Sequence, residues 1–184
     1  MAIRKVARLG HPVLRTPARE LSVEEIRSPE IKRLVADMID TMHEYGGVGL
    51  AAPQVHEPLR IAVIEVEQLS PRYRVDISQP LLVIFNARVT PLADEKFGFW
   101  EGCLSVPGLR GFVERPRKVR VDYVDHEGKP QAIVAEDFLA TVFQHELDHL
   151  DGVLYVDKIK SPDQFSFVEE YQRYHLEDPG QPEV

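Results

Sequence analysis

The sequence predicts one α+β domain over residues 1–184, in which antiparallel or mixed β-sheets pack around a central helix. Segments at 60–67, 81–89 and 118–125 are rich in β-branched residues, as strands are. The segment 137–152 is apolar around nearly its whole circumference, which is typical of a helix enclosed by the rest of a domain. No linker or repeat divides the 184 residues, and this length is sufficient for one hydrophobic core.

The N-terminal third predicts an extended arm followed by a helix. The stretch RLGHPVLRTPA carries prolines at positions 12 and 17, which favour extended backbone. Ser28 is then a favourable N-cap and Pro29 suits the first helical position. Apolar residues follow at spacings of three and four, so the helix has one buried face, and Gly46-Gly47 ends it.

The middle of the chain predicts strands. RIAVIEVE (60–67) and LLVIFNARV (81–89) are interpreted as strands, and the polar residues 68–80 between them as a loop. KVRVDYVD (118–125) alternates valine and tyrosine with charged residues, as a half-buried strand does. The turn HEGK leads from it into QAIVAED (131–137), so the two segments are expected to form a hairpin.

The C-terminal part predicts two helices and a tail. DFLATVFQHELDHLDG (137–152) is expected to be helical and to end at Asp151-Gly152. Ser161-Pro162-Asp163 repeats the start signal of a helix, so FSFVEEYQRY (165–174) is interpreted as the last helix. Residues 177–184 are expected to be a flexible tail.

Composition and charge exclude several classes of partner. A net charge of −8 leaves no basic excess for stable nucleic-acid binding, and RPRKVR (115–120) is interpreted as the solvated face of a strand. No run approaches the roughly 18 apolar residues of a membrane span, so no membrane partner is expected. The N-terminal sequence lacks the pattern of a secretory signal, and a cytoplasmic location is therefore expected.

The stretch QHELDHL (144–150) predicts a metal site. His145 and His149 are four residues apart, so a helix would place both imidazoles over one ion, with Glu146 beside them. H-E-x-x-H is typical of zinc-dependent peptide hydrolysis, in which the glutamate is the general base. Polar groups on a buried helix need partners, and a metal ion would supply one.

The H-E-x-x-H motif does not determine which residue is the third metal ligand. In zinc endopeptidases of the thermolysin kind it is a glutamate about 20 residues beyond the second histidine, and Glu169 and Glu170 lie at that distance. The other candidate is Cys103 in WEGCLSVPG, the only cysteine of the chain, which also excludes an internal disulfide. A thiolate with two imidazoles and an open fourth position is a recognised catalytic set. A third hypothesis is a metal-stabilised binding protein without activity, which would need neither Glu146 nor Gln54.

Three motifs together resemble those of the peptide deformylase family. They are GVGLAAPQV (47–55), EGCLS (101–105) and QHELDHL (144–150), in the family's order. The resemblance covers nearly the whole chain, and the VPGLRGFVERP continuation is similar to the type I branch found in bacteria and organelles. It favours Cys103 over the glutamates and a bacterial cytoplasmic location.

The resemblance implies an activity and the residues that perform it. The expected reaction removes the formyl group from N-formylmethionyl nascent peptides and releases formate. The ligands would be Cys103, His145 and His149, and a metal-bound water would attack the formyl carbon with Glu146 as general base and then acid.

Further positions are carried over or suggested for the substrate. Gln54, through its side-chain amide, and Leu104, through its backbone N–H, would stabilise the oxyanion, and Gly49 would contact the formyl group and the substrate backbone. Arg110 is a candidate for the cleft. Candidates for an apolar methionine pocket are Val48, Trp100, Phe138, Thr141 and Val142.

The resemblance also implies the cofactor. One divalent ion is expected, Fe(II) in the cell, with Zn(II), Ni(II) or Co(II) replacing it in purified protein. The partners would be N-formylmethionyl peptides, with a transient ribosome contact. We further expect Asp148 to form an ion pair with Arg115, since a carboxylate on a buried helix needs a partner.

Overall fold

The computed structural model describes residues 2–66 and 78–175. Its helices are α1 (Val23–Arg27), α2 (Pro29–Glu44), α3 (Asp137–Leu150) and α4 (Val168–Tyr174). Its strands are β1 (Gly49–Ala51), β2 (Ile61–Val66), β3 (Gln79–Pro91), β4 (Lys96–Cys103), β5 (Val106–Pro116), β6 (Lys118–Val124), β7 (Pro130–Glu136) and β8 (Phe165–Phe167). Short 3-10 helices span Pro12–Arg15, Ala52–Val55, Tyr155–Lys158 and Pro162–Gln164.

The described strands form two antiparallel sheets. One sheet has the order β1-β2-β3-β6-β7, and the other has the order β4-β5-β8. The predicted hairpin is confirmed, since β6 and β7 pair in continuous register from Lys118 opposite Glu136 to Val124 opposite Pro130. Strands β2 and β3 also confirm the prediction, although β3 begins at Gln79, inside the segment interpreted as a loop. Residues 67–77 lie outside the described residues.

Helix α3 lies in the core, as its sequence predicts. It contacts strands of both sheets. Its side chains Phe138, Phe143, Leu147 and Leu150 are buried in the main hydrophobic cluster, where each fully buried side chain of this kind stabilises the fold by about 1.5–3 kcal/mol. The predicted α+β domain with a central helix is therefore confirmed. Neither α3 nor any other helix in the described part of the chain has the length and apolar content needed to cross a membrane.

Helix α2 follows its predicted start signal. The Ser28 hydroxyl accepts a hydrogen bond from the Ile31 backbone N–H at 3.2 Å, and Pro29 occupies the first turn. Helix α1 was not predicted, because a helix of five residues shows too little periodicity to be recognised. It is held by a reciprocal cap in which Ser22 and Glu25 each accept from the other's backbone N–H.

The prediction of one helix over 165–174 was wrong in its first part. Ser161-Pro162-Asp163 starts only a 3-10 turn, and Phe165–Phe167 forms β8, which pairs with the outer edge of β5. Helix α4 begins at Val168. The open edge of β5 offers hydrogen bonds to an extended segment, and this tertiary pairing overrides the local helical signal. The predicted tail, 177–184, lies outside the described residues.

Candidate metal centre and active site

The two histidines of α3 and the cysteine of β4 come together inside the protein. Helix α3 places His145 and His149 one turn apart, and β4 ends at Cys103 opposite them. The Cys103 Sγ lies 3.3 Å from His149 Nε2, and one ligand atom of each of the three residues lies within 4.8 Å of the others. Bond lengths of about 2.0–2.3 Å in a tetrahedral site would separate such atoms by roughly 3.3–3.8 Å. The three residues therefore fit one divalent ion.

The electrostatics of the two histidines differ, and only that of His149 by itself favours the neutral imidazole that a metal ligand must be. The pKa of His149 is lowered well below its ordinary value by burial, and then by the positive charges of His145 and Arg115. Burial also acts to lower the pKa of His145, but the Cys103 sulfur and the Glu101 carboxylate outweigh it, and this pKa is raised. The His145 Nδ1 lies 2.7 Å from Glu101 Oε2, which orients the ring and leaves Nε2 for the cluster.

A buried network of charged side chains supports the orientation of the His145 ring through Glu101. The Arg115 guanidinium donates to both oxygens of Glu101, at 2.5 and 3.0 Å, and to Asp148 Oδ2 at 2.7 Å. The predicted ion pair between Arg115 and Asp148 is confirmed. Burial would raise the pKa of Glu101, but Arg115 and His145 lower it to about 2, so this carboxylate is ionised at neutral pH.

The role of Glu101 was missed by the sequence prediction. The residue is part of the EGCLS motif, but its position alone does not show that one carboxylate serves both Arg115 and His145. The sequence shows only that Glu101 lies two residues before the cysteine, and the structure adds that it is in a strand and almost fully buried. A carboxylate in that environment needs cationic partners.

Glu146 lies beside His145, and its carboxylate packs against Gly49. A Cβ atom added to Gly49 would lie 2.5 Å from Glu146 Oε1 and 2.7 Å from its Cγ, both closer than real atoms approach. Only glycine at position 49 therefore leaves room for the Glu146 carboxylate of α3 in this position. Gly49 lines the cavity that Cys103 and His145 also line.

The two predicted oxyanion donors flank Cys103. The Gln54 Oε1 accepts from the Ala51 N–H at 2.8 Å, which directs Nε2 toward Ser105 Oγ at 3.2 Å and Cys103 Sγ at 3.5 Å. Leu104 and Ser105 form the two-residue turn between β4 and β5, so the Leu104 backbone N–H follows the cysteine directly. Both donors thus belong to the environment of the cluster.

One cavity is lined by two members of the cluster, Cys103 and His145, and by the predicted pocket residues. Val48, Trp100, Phe138, Thr141 and Val142 line it together with Cys103, His145, Glu146, Gln54 and Leu104. The Thr141 hydroxyl donates to the backbone carbonyl of Asp137 at 3.3 Å, so this polar group is satisfied on its own helix. Phe99 and Gly102 also line the cavity and were not predicted. Arg110 does not line it but lies in the groove next to it.

The endopeptidase alternative is not favoured. Glu169 and Glu170 are exposed on α4, and Glu170 lies 3.7 Å from Arg173. In the described part of the chain, Cys103 is the third member of the group of potential metal ligands that includes the two histidines. The prediction that a glutamate of α4 could be the third ligand is therefore corrected in favour of the cysteine.

The fold and the site define a class of protein, a hydrolase with a Cys-His-His metal centre on an enclosed H-E-x-x-H helix. A comparison with protein families agrees with this class and identifies the family. The chain belongs to the polypeptide deformylase family, whose model matches residues 3–165.

Individual relatives are similar over almost the whole chain. A peptide deformylase of Leptospira biflexa is 44% identical over 170 residues, which are 92% of this chain and 95% of that protein. Peptide deformylase 2 of Pseudomonas syringae is 41% identical over 91% of this chain and 93% of its own.

Solved structures share the fold. A peptide deformylase from Synechococcus elongatus, in complex with actinonin, has a TM-score of 0.78 and 38% identity, covering 89% of this chain and 82% of that one. A class I type b peptide deformylase from Acinetobacter baumannii with Met-Ala-Ser bound has a TM-score of 0.82 and 36% identity, covering 86% and 99%.

Proposed function

We propose that this protein removes the formyl group from N-formylmethionyl nascent peptides, giving formate and a free amino terminus. The observation that carries the proposal is that one cavity is lined by Cys103, His145, Glu146 and Gln54, with His149 completing the ligand group beside Cys103. The relatives named peptide deformylase support it, as does the Acinetobacter structure, whose bound Met-Ala-Ser is the peptide product expected from formyl-Met-Ala-Ser.

Cys103, His145 and His149 would hold one divalent ion, which when bound supplies Lewis acidity toward the formyl oxygen and an activated water at neutral pH. Glu146 would move the proton. Its carboxylate, which packs against Gly49, would accept the proton of the attacking water and then deliver it to the departing amide nitrogen. A structural metal site would need no such carboxylate, which argues against an inactive binding protein.

The developing negative charge on the formyl oxygen would be met by two donors. The Gln54 Nε2 is fixed beside Cys103 because its own Oε1 is occupied by the Ala51 N–H. The Leu104 N–H stands in the tight turn after the same cysteine. A preorganised donor of this kind is worth about 3–4 kcal/mol in the transition state.

Recognition of many different chains follows from the sheet edge. Among the described strands β1 pairs only with β2, so its other edge, apart from the Ala51 N–H that donates to Gln54, would be open to an extended peptide. Backbone pairing of this kind is independent of the peptide's sequence. The side chain of the first residue would enter the apolar part of the cavity, between Val48, Phe138 and Val142.

The proposal includes the ion and the setting. A thiolate with two imidazoles binds Fe(II), Zn(II), Ni(II) and Co(II), and we propose Fe(II) in the cell. The matched relatives are bacterial, which supports a bacterial cytoplasm and, for a nascent substrate, transient contact with the ribosome. Metal analysis of protein purified without oxygen tests the choice of iron, which air should inactivate by oxidising the metal and the thiolate.

The function is tested by formate release from formyl-Met-Ala-Ser with anaerobically prepared protein. Glu146→Ala should lose turnover by about 10²–10⁴-fold and keep its metal. Cys103→Ala should instead lose metal affinity. Protein that holds a full equivalent of metal and releases no formate would contradict the proposal and favour the inactive binding protein.

A further inference from the structure

A second groove lies next to the cavity. Cys103 and Leu104 line both, so the groove adjoins the metal centre. Its other walls are the N-terminal arm (residues 5–11), His56 and the first residues of β5.

The arm is fastened to the site by backbone hydrogen bonds. The Ala7 N–H donates to the Gln54 carbonyl at 2.7 Å, and the Leu9 N–H donates to the Ser105 carbonyl at 2.8 Å. Ahead of these bonds, Arg4 is anchored by Asp37 at 3.2 Å and by Glu57 at 2.8 Å. The segment that carries Lys5 and Arg8 is therefore held in a fixed position next to the reacting centre.

The groove is basic although the chain is acidic overall. Lys5 and Arg8 line it, are exposed, and form no ion pair with any carboxylate of residues 2–66 and 78–175. Arg110 also lines it, as do His11 and His56, whose rings meet edge to face at 4.7 Å. None of the groove-lining residues in the described part of the chain is acidic, whereas the net charge of the whole chain is −8. The groove is thus a local basic surface on an acidic chain.

Building on the proposed deformylase function, we propose that this groove binds acidic side chains a few residues after the formylated one, with Lys5 and Arg8 as specificity-determining residues. If the first side chain fills the closed cavity, the peptide beyond it must leave by a route open to solvent. The groove is such a route, and an extended chain advances about 3.3 Å per residue along it. The third and fourth residues would then come level with the arm.

A peptide fits the observations better than a polynucleotide does. The groove adjoins the reacting centre, where a peptide must be, and the overall charge of −8 repels a polyanion at longer range. Each exposed ion pair is worth about twofold to fivefold in affinity. Two basic side chains should therefore favour a doubly acidic peptide over a doubly basic one by about tenfold at low salt.

The test uses three C-terminally amidated peptides, formyl-Met-Ala-Glu-Glu, formyl-Met-Ala-Gln-Gln and formyl-Met-Ala-Lys-Lys, with the metal-loaded full chain. The ratio of kcat/KM between the Glu and Lys peptides should be about tenfold at low ionic strength, lie mainly in KM, and fall toward one at high salt. Lys5→Gln with Arg8→Gln should reduce it below about twofold. Lys5→Glu with Arg8→Glu should invert it.

A matched control removes the same charge elsewhere. Arg33 and Lys96 are exposed and lie on α2 and at the start of β4, outside the groove. Arg33→Gln with Lys96→Gln should leave the ratio near tenfold, which separates the local effect from that of net charge. Thermal melts of all variants show whether each is folded.

The outcomes separate this inference from the proposed function. If the Gln peptide releases no formate, the proposed function fails. If it is cleaved but the Glu and Lys peptides are cleaved equally, or the groove variants keep the ratio, only the groove inference is overturned. It is also overturned if a short RNA inhibits cleavage through Lys5 and Arg8 while no preference for acidic peptides exists.

Discussion

Replacing Gly49 with alanine should impair the reaction by displacing one carboxylate. The new Cβ would lie 2.5 Å from Glu146 Oε1, 2.6 Å from Cδ and 2.7 Å from Cγ. Ordinary contact distances are about 3.5 Å, so the Glu146 side chain must move by roughly 1 Å. It is buried on α3 and cannot rotate freely into solvent. A misplacement of this size costs on the order of 10²-fold in rate, and overpacking costs about 1–3 kcal/mol in stability.

The assay is kcat/KM for formate release from formyl-Met-Ala-Ser, together with metal content and a denaturant melt. The metal content should be unchanged, because Gly49 contacts the carboxylate and is not a candidate ligand. The decisive comparison is a double-mutant cycle. If the alanine acts by moving Glu146, Gly49→Ala should add little to the loss already caused by Glu146→Ala. The reasoning would be refuted if the two substitutions reduced kcat/KM independently, so that their losses multiplied in the double variant. It would also be refuted if Gly49→Ala kept full activity.

Arg115→Ala leaves the ionised Glu101 buried without its cation, so the free energy of unfolding should fall by about 3–5 kcal/mol in a urea melt. Gln54→Glu replaces a donor with a negative charge, so kcat should fall by at least about 10²-fold at unchanged metal content, as measured by steady-state kinetics and metal analysis. The Arg15 guanidinium holds the pKa of Asp157 below its ordinary value of 3.8. Stability from this pair is complete above about pH 4 and is lost as the pH falls further, so wild type should lose roughly 0.5–1 kcal/mol more than Asp157→Asn between pH 5 and pH 2 in melts at each pH.

The parts of the fold that the sequence predicts are those with local signals. Helix α2 has a capping serine and a proline at its start, and α3 has a continuous apolar surface. The β6–β7 hairpin shows alternation on both sides of a turn sequence. In each of these elements the local preference agrees with the tertiary structure, and local analysis is then sufficient.

The three-stranded sheet was not predicted, because its strands carry loop signals. Strand β4 contains Gly98, above which the Phe112 ring lies so close that a Cβ would meet it at 2.1 Å. Strand β5 contains Pro107 and Gly108, and β8 has only three residues. Gly98 is needed for this close packing, a requirement that becomes visible only when the partner strand is known, whereas Gly108 has a φ of +77° and open space where a Cβ would lie.

The candidate site, like the fold, was predicted from the sequence only in part. The spacing of His145 and His149 predicts two ligands from helical geometry, and the family resemblance selects Cys103, but neither predicts that Glu101 links His145 to Arg115. That link joins β4, β5 and α3, and no periodicity within one segment encodes it.

The donor atoms of the metal centre come from two separately built parts of the molecule. Cys103 ends a strand of the three-stranded sheet, whereas His145 and His149 belong to the helix that packs against the five-stranded sheet. An ion bound between them would therefore also link two parts of the molecule that are otherwise joined by side-chain packing and by the ion pairs of Glu101 with His145 and of Arg115 with Asp148. Stripping it with a chelator should lower the melting temperature as well as abolish turnover, and Glu146→Ala, which is catalytically silenced with its ligands intact, should still gain that thermal protection when metal is restored.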